Sequence, residues 1–359
     1  MPVRRPPEVA VDDPSPPTVG ALSITPCRRP GSVRRTITVD VDRPDGPFGD
    51  VVVTATGQDL VTLADGSSFV AASQHASLRA DFVTDQRVKA VDAAPPRAGL
   101  DTLVGVPSRR GFRNAVHERT AGDPTRPTLL DTMLYDVPIV TSLSRMALRR
   151  RGVVSIRPGE PDYLGNRGEP ATAAAWAGAP IECAGWAPGS TMNRRQAAGL
   201  TPNADEPPSP AIVRDDDPAG WHQLPTLPPD GFRRWRRTDL WSTGEEFVAD
   251  TWWRDTYVDV HGELRVIHEY SVDVHIDPMS LIISEVEAIP RVLPGPECSP
   301  AADSADRLTG ASIVGLGSVV RRDFSGYSTC THLNDHLHGL GDLASLLKLY
   351  KVQPPSGAA

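Results

Sequence analysis

The chain has 359 residues, a formal net charge of -8, four cysteines and 36 prolines. That length allows two or three domains of ordinary size, and the acidic balance argues against a general binder of nucleic-acid backbones. No apolar run approaches the ~20 residues of a membrane span. The stretch from Met1 to Pro17 lacks the apolar core of a signal peptide, so a cytoplasmic protein without membrane or nucleic-acid partners is expected.

In chain order, residues 1–26 are rich in Pro, Arg and Asp and read as a disordered tail. Residues 27–150 carry strand-like runs: Val51 to Thr56, Phe69 to Ala72, Leu78 to Val83 and Val88 to Ala93, with His75 among them. A Pro-Pro break, Leu103-Val104-Gly105 and an Arg-bearing stretch follow, and then Leu129 to Leu134. Residues 151–229 are broken by Pro, Gly and Ala but hold Trp176, Trp186, Trp221 and Cys183. Tryptophans contribute mainly when buried, so part of this connecting segment is expected to pack over a domain. The Arg runs at 149–151 and 233–237 read as solvated linker or domain-edge charge.

Residues 230–352 repeat the earlier landmarks in the same order, offset by roughly 200 positions. Phe247 to Trp253, Leu264 to Ile267, His268, Tyr270 to Ile276 and Leu281 to Ala288 read as successive strands, with Asp277-Pro278 as a turn. Leu333, Leu337, Leu340, Leu343, Leu346 and Leu347 then form one apolar helical stripe. Residues 353–359 read as a second disordered tail. The expectation is an α+β fold made by tandem duplication, each copy an antiparallel three- to four-stranded meander followed by helices.

The C-terminal copy resembles the bacterial family catalogued as domain of unknown function 2889. The resemblance rests on Arg236-Arg237, the His268 strand, Ile283 to Ala288, Cys298, Leu308 to Gly310 and the Cys330-Thr331-His332-Leu333 signature. The element order is also similar to that of the IscU/NifU iron–sulfur scaffold fold. That likeness implies that Cys298 and Cys330 stand at the scaffold's second and third cysteines, with His268 near its first ligand position. The scaffold's first cysteine has no counterpart here.

His268, Cys298, Cys330 and His332 are donors of the kind that Zn or Fe prefers. A helix N-terminus is expected to lower the Cys330 thiol pKa. Cys330 and His332 lie about 200° apart around an ideal helix, so His332 is either a ligand in the first turn or a partner of one. The alternative is that both cysteines are small buried hydrophobes and His268 a hydrogen-bonded core residue. Cys27 and Cys183 fall outside the pattern. His336 and His338 read as solvated or capping. Asp250, Asp255 and Glu269 are the nearest candidates for a general base. In the first copy His75 is aligned with His268, but Leu130 and Thr132 stand where Cys330 and His332 would, so that copy would bind no metal.

Two functions follow as expectations. One is a metal-dependent lyase or hydrolase with one Zn or Fe per chain, acting on a small organic substrate. The other is an accessory carrier of metal, iron–sulfur or sulfur that docks to a partner protein. A homo-oligomer is compatible with either.

Overall fold

The computed structural model describes residues 18–82, 85–151, 153, 183–198 and 206–352. The first half has four strands, β1 (Ser32–Asp42), β2 (Val51–Thr62), β3 (Ser68–Ala80) and β4 (Val88–Ala94). They lead into α1 (Phe112–Arg119), α2 (Leu129–Leu143) and α3 (Arg145–Arg150). A short α4 (Thr191–Ala197) lies in the connecting segment. The second half repeats the order: β5 (Phe232–Ser242), β6 (Phe247–Val258), β7 (Leu264–Ile276) and β8 (Ile283–Val292), and then α5 (Leu316–Asp323), α6 (Thr331–Gly339) and α7 (Leu343–Val352).

All eight strands form one antiparallel sheet in the order β4-β3-β2-β1-β5-β6-β7-β8. The two halves, expected as separate domains, therefore share a sheet that is joined where β1 pairs antiparallel with β5 from Ser32↔Trp241 to Val41↔Phe232. Register irregularities fall at matching places, between Asp59 and Leu60 on β2 and between Asp255 and Thr256 on β6. Each half buries its own apolar core under its helices: one around Ile37, Val53, Met133 and Val140, the other around Tyr270, Val272, Leu316 and Leu337.

The opposite face of the seam is covered by the connecting segment. Trp221 packs edge-on against Trp235 and Trp252, with ring centroids 5.6 and 6.2 Å apart. His222 bonds the hydroxyls of Thr36 and Thr38 at 3.1 and 2.8 Å. The expected packing of tryptophans thus holds for Trp221, while Trp176 lies outside the described residues. Of the tail expected over 1–26, residues 1–17 lie outside them too. Within the remainder, Leu22 accepts from Arg254 and donates its N–H to Glu269. The tail expected over 353–359 is also outside the described residues.

The Arg run of β5 is not solvated charge. Strand alternation sends Arg233 to one face, where its guanidinium makes two bonds of 2.7 Å to Asp40, and Arg34 reciprocates across the seam to Asp239 at 2.6 and 2.9 Å. On the helix face Arg234 is fully buried, pairs with Asp255 at 2.8 and 2.9 Å and reaches Asp136 of α2 at 2.9 Å. Arg236 makes two further bonds of 2.6 Å to Asp136. The mirror arrangement joins Arg35 to Asp59 at 2.7 and 2.8 Å and to Asp342 of the second half at 3.2 Å. Each half thus lends a carboxylate to the other's central strand.

Burial alone would raise the Asp136 carboxyl, but the Arg236 and Arg234 guanidiniums overcome it and hold the carboxyl well below the usual carboxylate range. Such a group contributes stability above its unfolded pKa near 3.9, and that contribution is lost as pH falls toward the folded value. Replacing Asp136 by Ala leaves the buried Arg236 without a carboxylate and takes one carboxylate from Arg234, which keeps Asp255. The expected loss is about 3–5 kcal/mol in denaturant unfolding at pH 7, with a smaller gap between variant and wild type at pH 3. A loss below about 1 kcal/mol would show that the pairing holds the halves together only weakly.

Candidate functional site

Alternation along β6 and β7 decides which side chains meet the helices. Trp253, Asp255, His268 and Tyr270 share the helix-facing side, since Asp255 pairs with His268 and Trp253 with Tyr270 across the two strands. Facing them is the start of α6. Cys330 is its N-cap residue with an extended backbone (φ -109°, ψ 122°), and His332 and His336 follow one turn apart. Cys298 enters from a short 3-10 turn, Pro296–Cys298, just after β8.

The residues gather around the Trp253 ring. His268, His332 and His336 lie with ring centroids 6.2, 6.2 and 6.3 Å from it, Tyr270 lies at 6.3 Å, and the Arg234 guanidinium covers it at 4.8 Å. His268 and His332 stack directly, with centroids 3.6 Å apart and planes inclined by 21°. His268 is 3% exposed, and neither of its ring nitrogens has a hydrogen-bond partner. His332 keeps a partial solvent edge. The buried Tyr270 hydroxyl faces the Cys330 thiol without completing a hydrogen bond.

Burial sets the protonation of this group. It presses His268 well below the ordinary imidazole value, reinforced by His332 and Arg234, and lowers His332 to about 4, again with Arg234 adding to the effect. Both rings are therefore neutral at pH 7. The Cys330 thiol is pushed up to about 11 by burial, although the Tyr270 hydroxyl and the backbone N–H groups of Leu333 and His332 oppose the rise. The expected lowering at a helix start is thus corrected: the N–H groups face the sulfur, and desolvation outweighs them. Cys298 is raised well above its ordinary value, chiefly by burial.

The structure brings His268, Cys298, Cys330 and His332 into one buried region. As arranged, no three His, Cys, Asp or Glu side chains among the described residues stand where one ion would bind them. The expected general bases are committed elsewhere. Glu269, next to His268 on a strand, points to the other face and accepts from Arg254 at 2.8 Å, the Trp252 indole at 2.8 Å and the Leu22 N–H at 2.7 Å. Asp255 is held by both bonds from Arg234, and Asp250 is paired with Arg237. An open recess of about 390 Å³ lies away from this region, in the first half, lined by Arg87, Val106, Arg110, Asn114 and Arg119 among others.

Three further expectations change. His75 pairs with Thr56 on the solvent-facing side and bonds its hydroxyl at 3.2 Å; by strand register the counterpart of His268 is Ala72, opposite Asp59 as His268 is opposite Asp255. Aligning helix caps makes Thr128 the counterpart of Cys330 and Leu130 that of His332. His336 and His338 are buried rather than solvated: His336 bonds Thr251 at 2.8 Å, and His338 accepts from Arg321 at 2.9 Å.

Sequence reading missed Trp253, Tyr270 and Arg234 as members of this site. Their signal was the period of two, which puts Tyr270 beside His268. Cys183, expected outside the pattern, is buried, and the N–H of Ala184 beside it donates to the carbonyl of Thr329, the residue before Cys330, at 2.9 Å.

The depressed imidazoles have a consequence for stability. The unfolded chain takes up protons near pH 6.5 that the fold refuses, so stability present above that value falls as pH drops toward the folded pKa. Between pH 7.5 and 5, His268 is expected to contribute a loss on the order of 2 kcal/mol, absent in His268→Gln. Unfolding curves for the two proteins with the same pH slope would mean that the ring is protonated in the fold.

A family model described as "Protein of unknown function (DUF2889)" matches residues 232–345, which span β5 through the first residues of α7. No curated protein and no solved structure matches the chain. Among the described residues no helix is long and apolar enough to cross a membrane. The second half of the sheet with its helices is thus the part of this chain that is similar to that family.

Proposed function

We propose that this protein binds one Zn or Fe ion through His268, Cys298 and Cys330, with His332 beside them, and uses it in lyase or hydrolase chemistry on a small organic substrate. The observation that carries the reading is His268, whose two ring nitrogens are buried without partners. Buried polar groups nearly always find a partner, and each orphan costs about 1–3 kcal/mol. Imidazole and thiolate together suit Zn and Fe better than Ca or Mg. Neutral rings, as here, are the form that ligates a metal.

The stacked rings do not converge on a point, so a side-chain rotation is part of the proposal. His332, the ring with a solvent edge, is the one free to turn. When bound, the ion would act as a Lewis acid on a carbonyl or on water. The protein's own groups divide the remaining work. Tyr270 stays protonated, because burial and the neighbouring thiols hold its phenol well above the ordinary value, and its unpartnered hydroxyl is a donor for a bound substrate. Asp255 and Glu269 are tied to Arg234 and Arg254, which leaves His332 as the proton acceptor. The carrier role is less well supported: it needs reachable thiols, and Cys298 and Cys330 are 3% and 2% exposed.

The proposal extends to the origin of the chain, as a tandem duplication of an IscU-like unit whose first copy lost its donors. The shared element order and the matching irregularities at Asp59 and Asp255 support it. The first copy has Ala72, Thr128 and Leu130 at the counterpart positions of His268, Cys330 and His332.

Metal analysis of the purified full chain tests the reading. About one Zn or Fe per chain is expected, lost in His268→Ala and Cys330→Ser and retained in His332→Ala. Wild-type protein that takes up neither ion, or His268→Ala that binds as well as wild type, would end it.

A further inference from the structure

Of the Arg run at 149–151, expected as solvated charge, Arg150 pairs with Glu206 at 2.7 Å and Arg151 with Asp230. Arg149 is different: it has no bonded partner among the described residues, and its Nε is buried. Three more arginines stand at the same junction of α2 and α3. Arg43, just after β1, donates to the carbonyl and the hydroxyl of Ser144 at 3.3 and 2.8 Å. Arg109, from the stretch before α1, donates to the Ser142 hydroxyl at 2.9 Å. Ser144 keeps helical angles between the two helices (φ -57°, ψ -12°). Spacings of three and four therefore set Ser142, Arg145 and Arg149 on one side of that junction.

The contacts of these side chains are neutral. Arg109 also reaches the Gln86 amide oxygen at 3.4 Å, and Arg43 lies over the Phe82 ring at 4.3 Å with its Nε buried and unpartnered. Among the described residues no carboxylate bonds the guanidinium of Arg43, Arg109 or Arg149. The acids nearest Arg43 are engaged elsewhere: Asp42 accepts from the Arg43 backbone N–H, and Asp230 is held by Arg151. The Ser108 hydroxyl, next to Arg109 in the chain, is fully buried and lacks a partner as well. Burial presses all four guanidiniums below their ordinary value, and on Arg145 the charges of Arg149, Arg109 and Arg43 add to it. Like charges gathered out of water destabilise a fold until an anion joins them. At the seam of the sheet the opposite holds, since each buried guanidinium there has its carboxylate.

We propose that Arg43, Arg109 and Arg149, with Arg145 among them, form a binding site for the phosphoryl group of a small anionic molecule. A guanidinium presents paired donors that match phosphate oxygens. A phosphoryl group carries roughly two charges near neutral pH and accepts hydrogen bonds on every side. That suits donors arriving from three elements: the end of β1, the approach to α1, and α3. The net charge of -8 favours a small molecule over a nucleic acid. The site belongs to the first half and needs none of the donors around Trp253.

Calorimetric titration of the full chain with inorganic pyrophosphate tests the site. Wild type and Arg110→Gln, an exposed neighbour outside the cluster, should bind alike. Arg109→Gln and Arg149→Gln should each bind about tenfold more weakly. Melting curves give a second readout. Without added anion, Arg149→Met should melt about 2 °C above wild type because a repelled charge is gone, and pyrophosphate should raise the wild-type midpoint far more than that of the variant. Wild type that does not bind pyrophosphate, or Arg110→Gln that loses as much affinity as Arg109→Gln, would overturn the site. So would Arg149→Met melting below wild type, since that guanidinium would then already have an anionic partner within the chain. Citrate bound as tightly as pyrophosphate would overturn the phosphoryl assignment.

Discussion

The central constraint is the burial of six guanidiniums, those of Arg34, Arg35, Arg233, Arg234, Arg236 and Arg237, on the two strands that join the halves. A buried guanidinium cannot shed its proton at any ordinary pH, so it must be met by carboxylates. Arg234 is met by Asp255 of its own sheet half and by Asp136 from the other half's helix; Arg35 is met by Asp59 and, from the opposite direction, by Asp342. The reciprocity fixes more than adhesion. It sets the register of β1 against β5, and it positions α2 and the turn before α7 over the seam. Such pairs are weak sources of net stability but strict about geometry.

The same Arg234 shapes the proposed site. It lies over Trp253, and Trp253 is the surface around which His268, His332, His336 and Tyr270 are arranged. A positive charge next to that ring helps to keep both stacked imidazoles neutral. The structural pairing and the candidate site therefore share one chain of contacts, from Asp136 through Arg234 and Trp253 to the histidines. The first half has the same frame, with Arg35 on Asp59, but Gly57 takes the place of Trp253 by strand register. Without the aromatic floor and the donors, that half keeps the scaffold alone.

Much of this was legible in the chain. The mixture of antiparallel strands and helices and the four-strand runs follow from periodicity and punctuation, because each strand buries one face; the leucine stripe is there as well, but divided between two helices by a 3-10 turn at Leu340–Asp342. What failed did so for identifiable reasons. His75 and His268 look equivalent by proximity to similar runs, yet His75 lies three residues further along its strand than Ala72, the counterpart by pairing, and an odd shift changes the face. Glu269 was a weak choice on period two alone, since a residue adjacent to His268 on a strand must point away from it. The run Arg233 to Arg237 reads as solvent charge until its carboxylates are known, and those lie as far away in the chain as Asp40 and Asp136. The docking of the Cys183 segment gave no local signal, because the residues it bonds, Glu297 and Thr329, lie about a hundred residues or more further on.

The most direct test of the account is X-ray absorption at the metal edge of the full chain loaded with Zn. A mixed shell is predicted, with sulfur at about 2.3 Å and imidazole nitrogen at about 2.0–2.1 Å. A shell of oxygen and nitrogen without sulfur would place the ion elsewhere and contradict the convergence of thiols and His268 as the basis of function.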